Sequence, residues 1–545
     1  MALPLARWVL ALLALVALAV AGDNMTRRLA HPDEGRYSEI AREMAASGDW
    51  VTPRLNGLKY FEKPPLQYWA TAASFEVFGE NEFAARLYVF VCGLATLLVV
   101  GFTALRLWNA EVAVAAMLVL VASPYFMALG GIVTLDMGLT LWTTLTLCAF
   151  LLAEQQSSRA HRRWMLVAWA AMALAVMSKG LIGIVFPVAA IGLQALVRLD
   201  FSFLKRLEHR LGIVVFLAIV APWFVLVSLA NNEFLEFFFF HEHLSRFLTK
   251  THHRIEPWWY FVPILMVGFL PWMFALPSAI VHAWKSEALA RDFQPLRLAL
   301  LWSAFIVVFF SASGSKLPTY VLPVFPTLAL AVGKFVVEAD TRRLARFVVP
   351  GVPIALLMAW LAWGYPDAAH DAWSRALYEK AQSWAIAASV IFLAASVVAA
   401  ALFARGRRWA AIAATAFAGV LLHGCLVEGY KQLTPRQSGY DIAQILKPLI
   451  ADSPPIYSVD LYDQTLPFYL GRTVTLVHWY DEFETGIEAE PQRVVKEIEA
   501  FVVEWRRPGR ALAIMQPDLF RKLKARRIPM EVLYQDPRRV LVRKP

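Results

Sequence analysis

Acids and bases that could act on a phosphate-bearing substrate gather in a few polar segments. Asp33-Glu34 follows His31-Pro32, and Glu62-Lys63 sits in Phe61-Glu62-Lys63-Pro64-Pro65. Asp136 closes Gly130-Gly131-Ile132-Val133-Thr134-Leu135-Asp136, and Lys179 lies in Met177-Ser178-Lys179-Gly180. Lys316 and Tyr320 share Ser315-Lys316-Leu317-Pro318-Thr319-Tyr320, while His241, Glu242, His243 and Arg246 crowd into Phe237–Pro257. Carboxylates of this kind serve as bases or orient a substrate. Fixed cations bind phosphate oxygens and stabilise charge on a leaving group.

Each residue also has a plainer reading. Asp33 precedes a helical pattern and could simply cap it, so capping and catalysis both stay open. Asp136 stands where an apolar run meets a short loop with no basic neighbour in sequence. A carboxylate there is costly unless a partner comes from elsewhere in the fold. A single rim lysine would snorkel to headgroups. Lys63, Lys179 and Lys316, joined by Arg54, Arg246 and Arg254, read better as a site for phosphate oxygens. No cofactor is required by such chemistry. A divalent ion held by Glu62 and His243 is the one metal candidate, since there is no HExxH and no closed tetrahedral set.

These residues are set among apolar helices. The 545-residue chain is 59% hydrophobic and 17% charged, with mean hydropathy +0.52, so it is a polytopic membrane protein. Its net charge of +10 lies largely in short loops, which points to anionic headgroups and not to nucleic acid. The three cysteines, Cys92, Cys148 and Cys425, fall inside apolar runs without metal spacing.

Ala2–Gly22 is expected to be a retained first helix, although Ala19-Val20-Ala21-Gly22 resembles a cleavage site. Spans follow near 84–104, 111–130, 135–153, 165–178, 182–198, 211–230, 258–283, 298–312, 318–337, 346–364, 383–404 and 409–427, thirteen with the first. Arginine and lysine fill the loops after even-numbered spans, which places those loops in the cytoplasm. The loops 23–82 and 231–257 and the C-terminal tail then face the other side. In the first of these, Tyr37, Ile40, Ala41, Met44 and Ala45 form one helical face, and Glu34, Arg36, Glu39, Arg42 and Glu43 the other. This amphipathic helix is expected to lie along the membrane interface. Leu66–Phe78 reads as a second interfacial helix.

Beyond Tyr430 the composition changes. Ile456–Val459, Thr473–Val477 and Ala511–Met515 read as strands. Gln492–Trp505 and Pro517–Arg526 read as helices, and Met530–Lys544 as a hairpin broken at Asp536-Pro537. The expected division is a transmembrane domain over 1–429 and a small soluble α/β domain over 430–545. That second domain carries no phosphate loop or zinc spacing and reads as a lid or docking module.

Taken together, these motifs resemble the GT-C glycosyltransferases of the protein mannosyltransferase superfamily, and within it the bacterial undecaprenyl phosphate–aminoarabinose transferases that modify lipid A. The resemblance runs along the whole chain. It implies transfer of 4-amino-4-deoxy-L-arabinose from undecaprenyl phosphate to a lipid A phosphate, with inversion, at the periplasmic face of the bacterial inner membrane. Resistance to cationic antimicrobial peptides such as polymyxin would follow. It implies Asp33, the acidic residue after the first helix, as the catalytic candidate, acting as a base or orienting the substrate, with Lys63, Tyr320 and Arg246 holding the carrier phosphate. A monomer embedded in membrane lipids is expected. Two other readings stay open: a sister transferase using another sugar or a protein hydroxyl, and a lipid transporter. Transporters place polar groups at mid-membrane in paired repeats. Here the ionisable residues cluster at one rim, which favours an enzyme.

Overall fold

The computed structural model describes residues 7–238, 256–289 and 293–545. It is a bundle of apolar helices with an α/β domain seated on one rim. Helices dominate because a helix satisfies its own backbone hydrogen bonds where water is absent.

The first segments are α1 (Arg7–Met25), α2 (Asp33–Ser47), α3 (Leu66–Phe78) and α4 (Glu82–Leu107). They continue with α5 (Ala110–Val121), α6 (Pro124–Leu129), α7 (Leu135–Glu154), α8 (Ser158–Lys179), α9 (Ile182–Arg198) and α10 (His209–Ala230). Asparagine side chains begin two of them: Asn81 accepts from the Ala84 N–H of α4, and Asn109 from the Val112 N–H of α5. Gly48 ends α2 in the left-handed conformation at φ 69°.

Among the described residues, eight helices are long and apolar enough to cross a membrane, and one bent pair makes a ninth. The remaining expected spans correspond to shorter or more charged helices: Val9–Met25, Ala110–Val121, Ile182–Arg198 and Ser158–Lys179. Two expected spans are interrupted. The run 111–130 divides into α5 and α6 at Pro124, and 258–283 bends by 115° between Phe261–Gly268 and Met273–Trp284. Pro271 sits in that bend, where its missing N–H cannot continue a helix.

The C-terminal sheet has β3 (Ile456–Val459), β4 (Thr475–Val477), β5 (Leu512–Met515), β6 (Glu531–Gln535) and β7 (Val540–Arg543), following the short β1 (Arg54–Leu55) and β2 (Leu58–Lys59). Its order is β4-β3-β5-β7-β6. Strand β3 pairs parallel with β4 and β5, and β7 pairs antiparallel with β5 and β6. One sheet face packs Tyr457, Ala513 and Val542 against Phe501, Trp505 and Phe520. The other face buries Ile456, Ile514 and Leu541 in one core with Ile40, Met44, Tyr68 and Phe75 of α2 and α3. The rim of the bundle therefore completes this domain's core, as a lid resting loosely on it would not.

That docking corrects the expectation for α2. Its polar face was expected to meet water at the interface, yet Glu34, Arg36, Glu39 and Arg42 are all buried. The C-terminal domain meets Arg36 and Arg42, and Arg27 and Arg86 enclose Glu34. A Cβ added at Gly35 would come within 2.5 Å of the Gln464–Thr465 backbone, so glycine is what lets the two parts touch there. Arg42 grips Glu39 with two bonds of 2.7 Å and reaches the Gly471 carbonyl at 3.3 Å.

Candidate active site

The site is built around a carboxylate that does not itself face a substrate. Glu34 is buried and accepts from Arg27 at 2.9 and 3.1 Å and from Arg86 at 2.9 and 3.0 Å. The N–H groups of Ala30 (2.9 Å) and Val133 (3.2 Å) complete its shell. Burial alone pushes its carboxyl up, but the two guanidiniums outweigh that and hold it at about 2. Arg86, wholly buried in the first turns of α4, also donates to the carbonyls of Met25, Arg27 and Arg28. One acid thus ties the end of α1, the start of α2, α4 and the loop that leads into α7.

Asp33 and Asp136 stand at the two ends of this tie. Asp33 opens α2 beside Glu34, and its side chain stays 39% exposed while the residues that follow it are buried. Arg36 contacts it at 3.2 Å and reaches Glu482 of the C-terminal domain at 3.4 Å. Burial pushes the Glu482 carboxyl up, with Arg36 and Gln464 acting against it. Asp33 makes no side-chain bond to cap α2, so its plainer role is not the one it takes.

Asp136 lies three residues beyond Val133. The partner it lacked in sequence is Lys179 of α8, paired directly with it; both side chains are mostly buried. The Lys179 ammonium also stands 4.8 Å from the centre of the Tyr320 ring, which packs tilted by 34° against Phe310 at 4.6 Å. Residues 136, 179 and 320, from three distant segments, therefore form one cluster.

Glu62 and Lys63 follow the β1–β2 hairpin. The Lys63 ammonium donates to the Glu62 carbonyl at 2.8 Å and lies 3.9 Å from its carboxylate. Phe61 packs with Met177, Trp223, Phe234 and Phe238, which sets this pair beside α8 and α10. The hydroxyl of Tyr60 is buried without a hydrogen-bond partner among the described residues. Burial first and Glu62 second hold it well above the usual phenol range, and burial and Asp33 do the same to Tyr37. Asp33, Glu62, Tyr37 and Tyr60 thus share one electrostatic neighbourhood.

Two expected phosphate cations are engaged elsewhere. Arg54 bonds Glu490 at 2.9 and 3.1 Å and the Gly57 carbonyl at 2.8 Å, so it fastens the C-terminal domain to the hairpin. Lys316 is buried and donates to the Ser313 carbonyl at 2.8 Å, closing its own loop. Arg246 and His243 lie outside the described residues. Among those residues, no group of three or more His, Cys, Asp or Glu side chains could hold a metal ion.

The reading of the sequence passed over Arg27, Arg86 and Glu482. Arg86 had a usable signal, because a lone arginine in an apolar run is expensive unless paired. Glu482 had none, being one acid among several in a polar stretch.

The fold defines the class first: a polytopic membrane protein of GT-C type, with an acid- and lysine-lined rim under a soluble α/β domain. The chain belongs to the dolichyl-phosphate-mannose-protein mannosyltransferase family, whose profile matches residues 5–286, in the branch with an aminoarabinose transferase C-terminal domain, matched over 442–544. It is 37% identical over 308 residues to the undecaprenyl phosphate-alpha-4-amino-4-deoxy-L-arabinose arabinosyl transferase of Erwinia tasmaniensis, covering 56% of this chain and 55% of that one. The Pseudomonas aeruginosa enzyme of the same name is 34% identical over 318 residues, again 56% and 55%. The matches thus span little more than half the length of these curated relatives. The crystal structure of ArnT from Cupriavidus metallidurans bound to undecaprenyl phosphate superposes with a TM-score of 0.93, at 36% identity over 99% of both chains. Its apo form gives 0.91.

Proposed function

We propose that this protein transfers 4-amino-4-deoxy-L-arabinose from undecaprenyl phosphate to a phosphate of lipid A, with inversion. The reaction takes place at the periplasmic face of the bacterial inner membrane and protects the cell from polymyxin-like cationic peptides. The observation that carries this reading is the match along 99% of the chain to a protein crystallised with undecaprenyl phosphate. A rim that gathers Asp33, Glu62, Lys63, Asp136, Lys179 and Tyr320 supports it.

In this mechanism Lys63, Tyr320 and Arg246 hold the carrier phosphate. Fixed cations opposite the leaving phosphate lower the barrier as its charge develops. An acceptor phosphate is already ionised and needs no general base, so Asp33 orients the acceptor or meets the amine of the sugar. Asp136 fixes the Lys179 ammonium over Tyr320, and Lys179 thereby supports the phosphate site through that ring. Glu62 and His243 are the residues that would hold a divalent ion in an open, weak site, where it would supply positive charge to the leaving phosphate. Residues 1–429 form the membrane domain and 430–545 the periplasmic domain, in a protein acting as a monomer.

Mass spectrometry of lipid A tests the proposal, using cells that make the aminoarabinose carrier but lack their own transferase. Expression of this chain should add one aminopentose to lipid A. An unchanged lipid A would overturn the assignment, and sugar found on envelope proteins would identify a sister transferase instead.

A further inference from the structure

A second apolar space opens away from the lysine cluster. A cavity of about 460 Å³ lies between α1, α4, α5 and α6 and the helix Arg408–Gln432. Leu10, Ala17, Leu97 and Met117 line it, with Asn24 and Gly131 at one end. Leu10 to Asn24 spans about 21 Å of helix, so the cavity is an elongated slot about the length of one acyl chain. Its walls are apolar apart from Asn24 and His423; His423 is only 2% exposed, and its Nδ1 has no hydrogen-bond partner among the described residues. A dry apolar slot in a membrane protein is filled by chain, since water gains nothing there.

We propose that this slot holds one acyl chain of the acceptor lipid and thereby delivers its headgroup to Asp33. The inference rests on the transfer to lipid A proposed above and assigns the acceptor's route into the same site. Three observations choose this occupant. The Asn24–Gly131 end opens at the Glu34 tie: Arg27 donates to the Asn24 side chain at 3.1 Å and to the Gly131 carbonyl at 3.5 Å. A headgroup emerging there meets the Arg27–Glu34 tie, one residue in sequence from Asp33, and the loop that leads to Asp136. Lys63 lies away from this slot, with Phe61 packed on Met177 of α8 and Trp223 of α10. Donor and acceptor would then reach the rim along different helices, the acceptor by α1 and α4 and the donor by α8 and α10. Finally, a slot of this length is too short for an undecaprenyl tail but suits a single acyl chain. His423 offers a hydrogen bond to an ester or hydroxyl oxygen on that chain.

The test uses the purified full-length protein and Ala17→Phe, which fills the slot from the half-buried face of α1. Leu15→Phe is the control, because Leu15 is 65% exposed and faces away. Ala17→Phe should raise the KM for lipid A about tenfold, equivalent to about 1.4 kcal/mol, with the donor KM unchanged. Leu15→Phe should change neither. A rise in donor KM instead would assign the slot to the prenyl tail, and unchanged values for both would leave it to bulk phospholipid; either overturns the proposal. A lipid A analogue with a diazirine on one acyl chain reads the slot without turnover. It should label peptides within 7–25 or 82–107 in the parent protein and not in Ala17→Phe. Labelling that persists in Ala17→Phe, or that falls on α8 and α10, refutes the slot. Absence of transfer by the parent protein, with labelling intact, would refute the proposed reaction and leave the slot standing.

Discussion

Glu34→Gln tests the tie that holds the site together. The change keeps the shape of the side chain and removes its charge, leaving Arg27 and Arg86 buried and uncompensated. The magnitude can be worked in two ways. A carboxyl held at about 2 against an ordinary 4.5 is worth about 3 kcal/mol to the ionised folded state. Removing one partner from a buried ion pair costs about 3–5 kcal/mol. Both give a loss of about 3 kcal/mol, a large fraction of a typical net stability. The sign with pH follows from the depressed value. The stabilisation is fully present above the unfolded value of 4.5 and is lost as pH falls from there through about 2. Thermal unfolding in detergent, followed by tryptophan fluorescence, should show Glu34→Gln melting well below the parent protein at neutral pH. That gap should narrow as the buffer is made acid through pH about 4. Equal melting at neutral pH, or a gap that stays constant on acidification, would refute the argument.

Other outcomes follow from the same geometry. Asp33→Asn should abolish transfer without lowering the melting temperature, since Asp33 is partly exposed and caps nothing; near-normal turnover removes it from the machinery. Lys63→Ala should weaken donor binding by about tenfold, the order of one charge-assisted hydrogen bond, read as a rise in donor KM. Arg54→Ala should leave donor KM unchanged and increase proteolysis of the C-terminal domain, because Arg54 is spent on Glu490; a raised donor KM returns it to the phosphate site. Treatment with EDTA decides the role of Glu62 and His243: lost activity restored by a divalent ion supports a metal there, and full activity rules it out.

Much of the architecture could be read locally. Leu66–Phe78 and Ile456–Val459 have the bounds expected of them, because apolar periodicity and proline breaks act over a few residues. The apolar runs likewise follow from composition. Pro124 and Pro271 were equally visible, but whether a proline kinks a span or divides it depends on what neighbouring helices leave room for.

What the sequence by itself determined is the set of apolar segments, the α/β character past Tyr430, and the list of acids and bases at one rim. Tertiary structure alone decided how those charges are shared. Lys179 lies 43 residues from Asp136, Arg86 lies 52 from Glu34, and Arg54 lies 436 from Glu490. No periodicity links such pairs, and a charge in a polar loop looks solvated until something covers it. Here the C-terminal domain covers the Arg36–Arg42 side of α2, while the end of α1, α4 and the loop before α7 enclose Glu34, so its polar face became an interior of paired ions. Which carboxylate is tied down and which is left for a substrate follows from that enclosure: Glu34 has six donors around it, and Asp33, one residue earlier, keeps an open side.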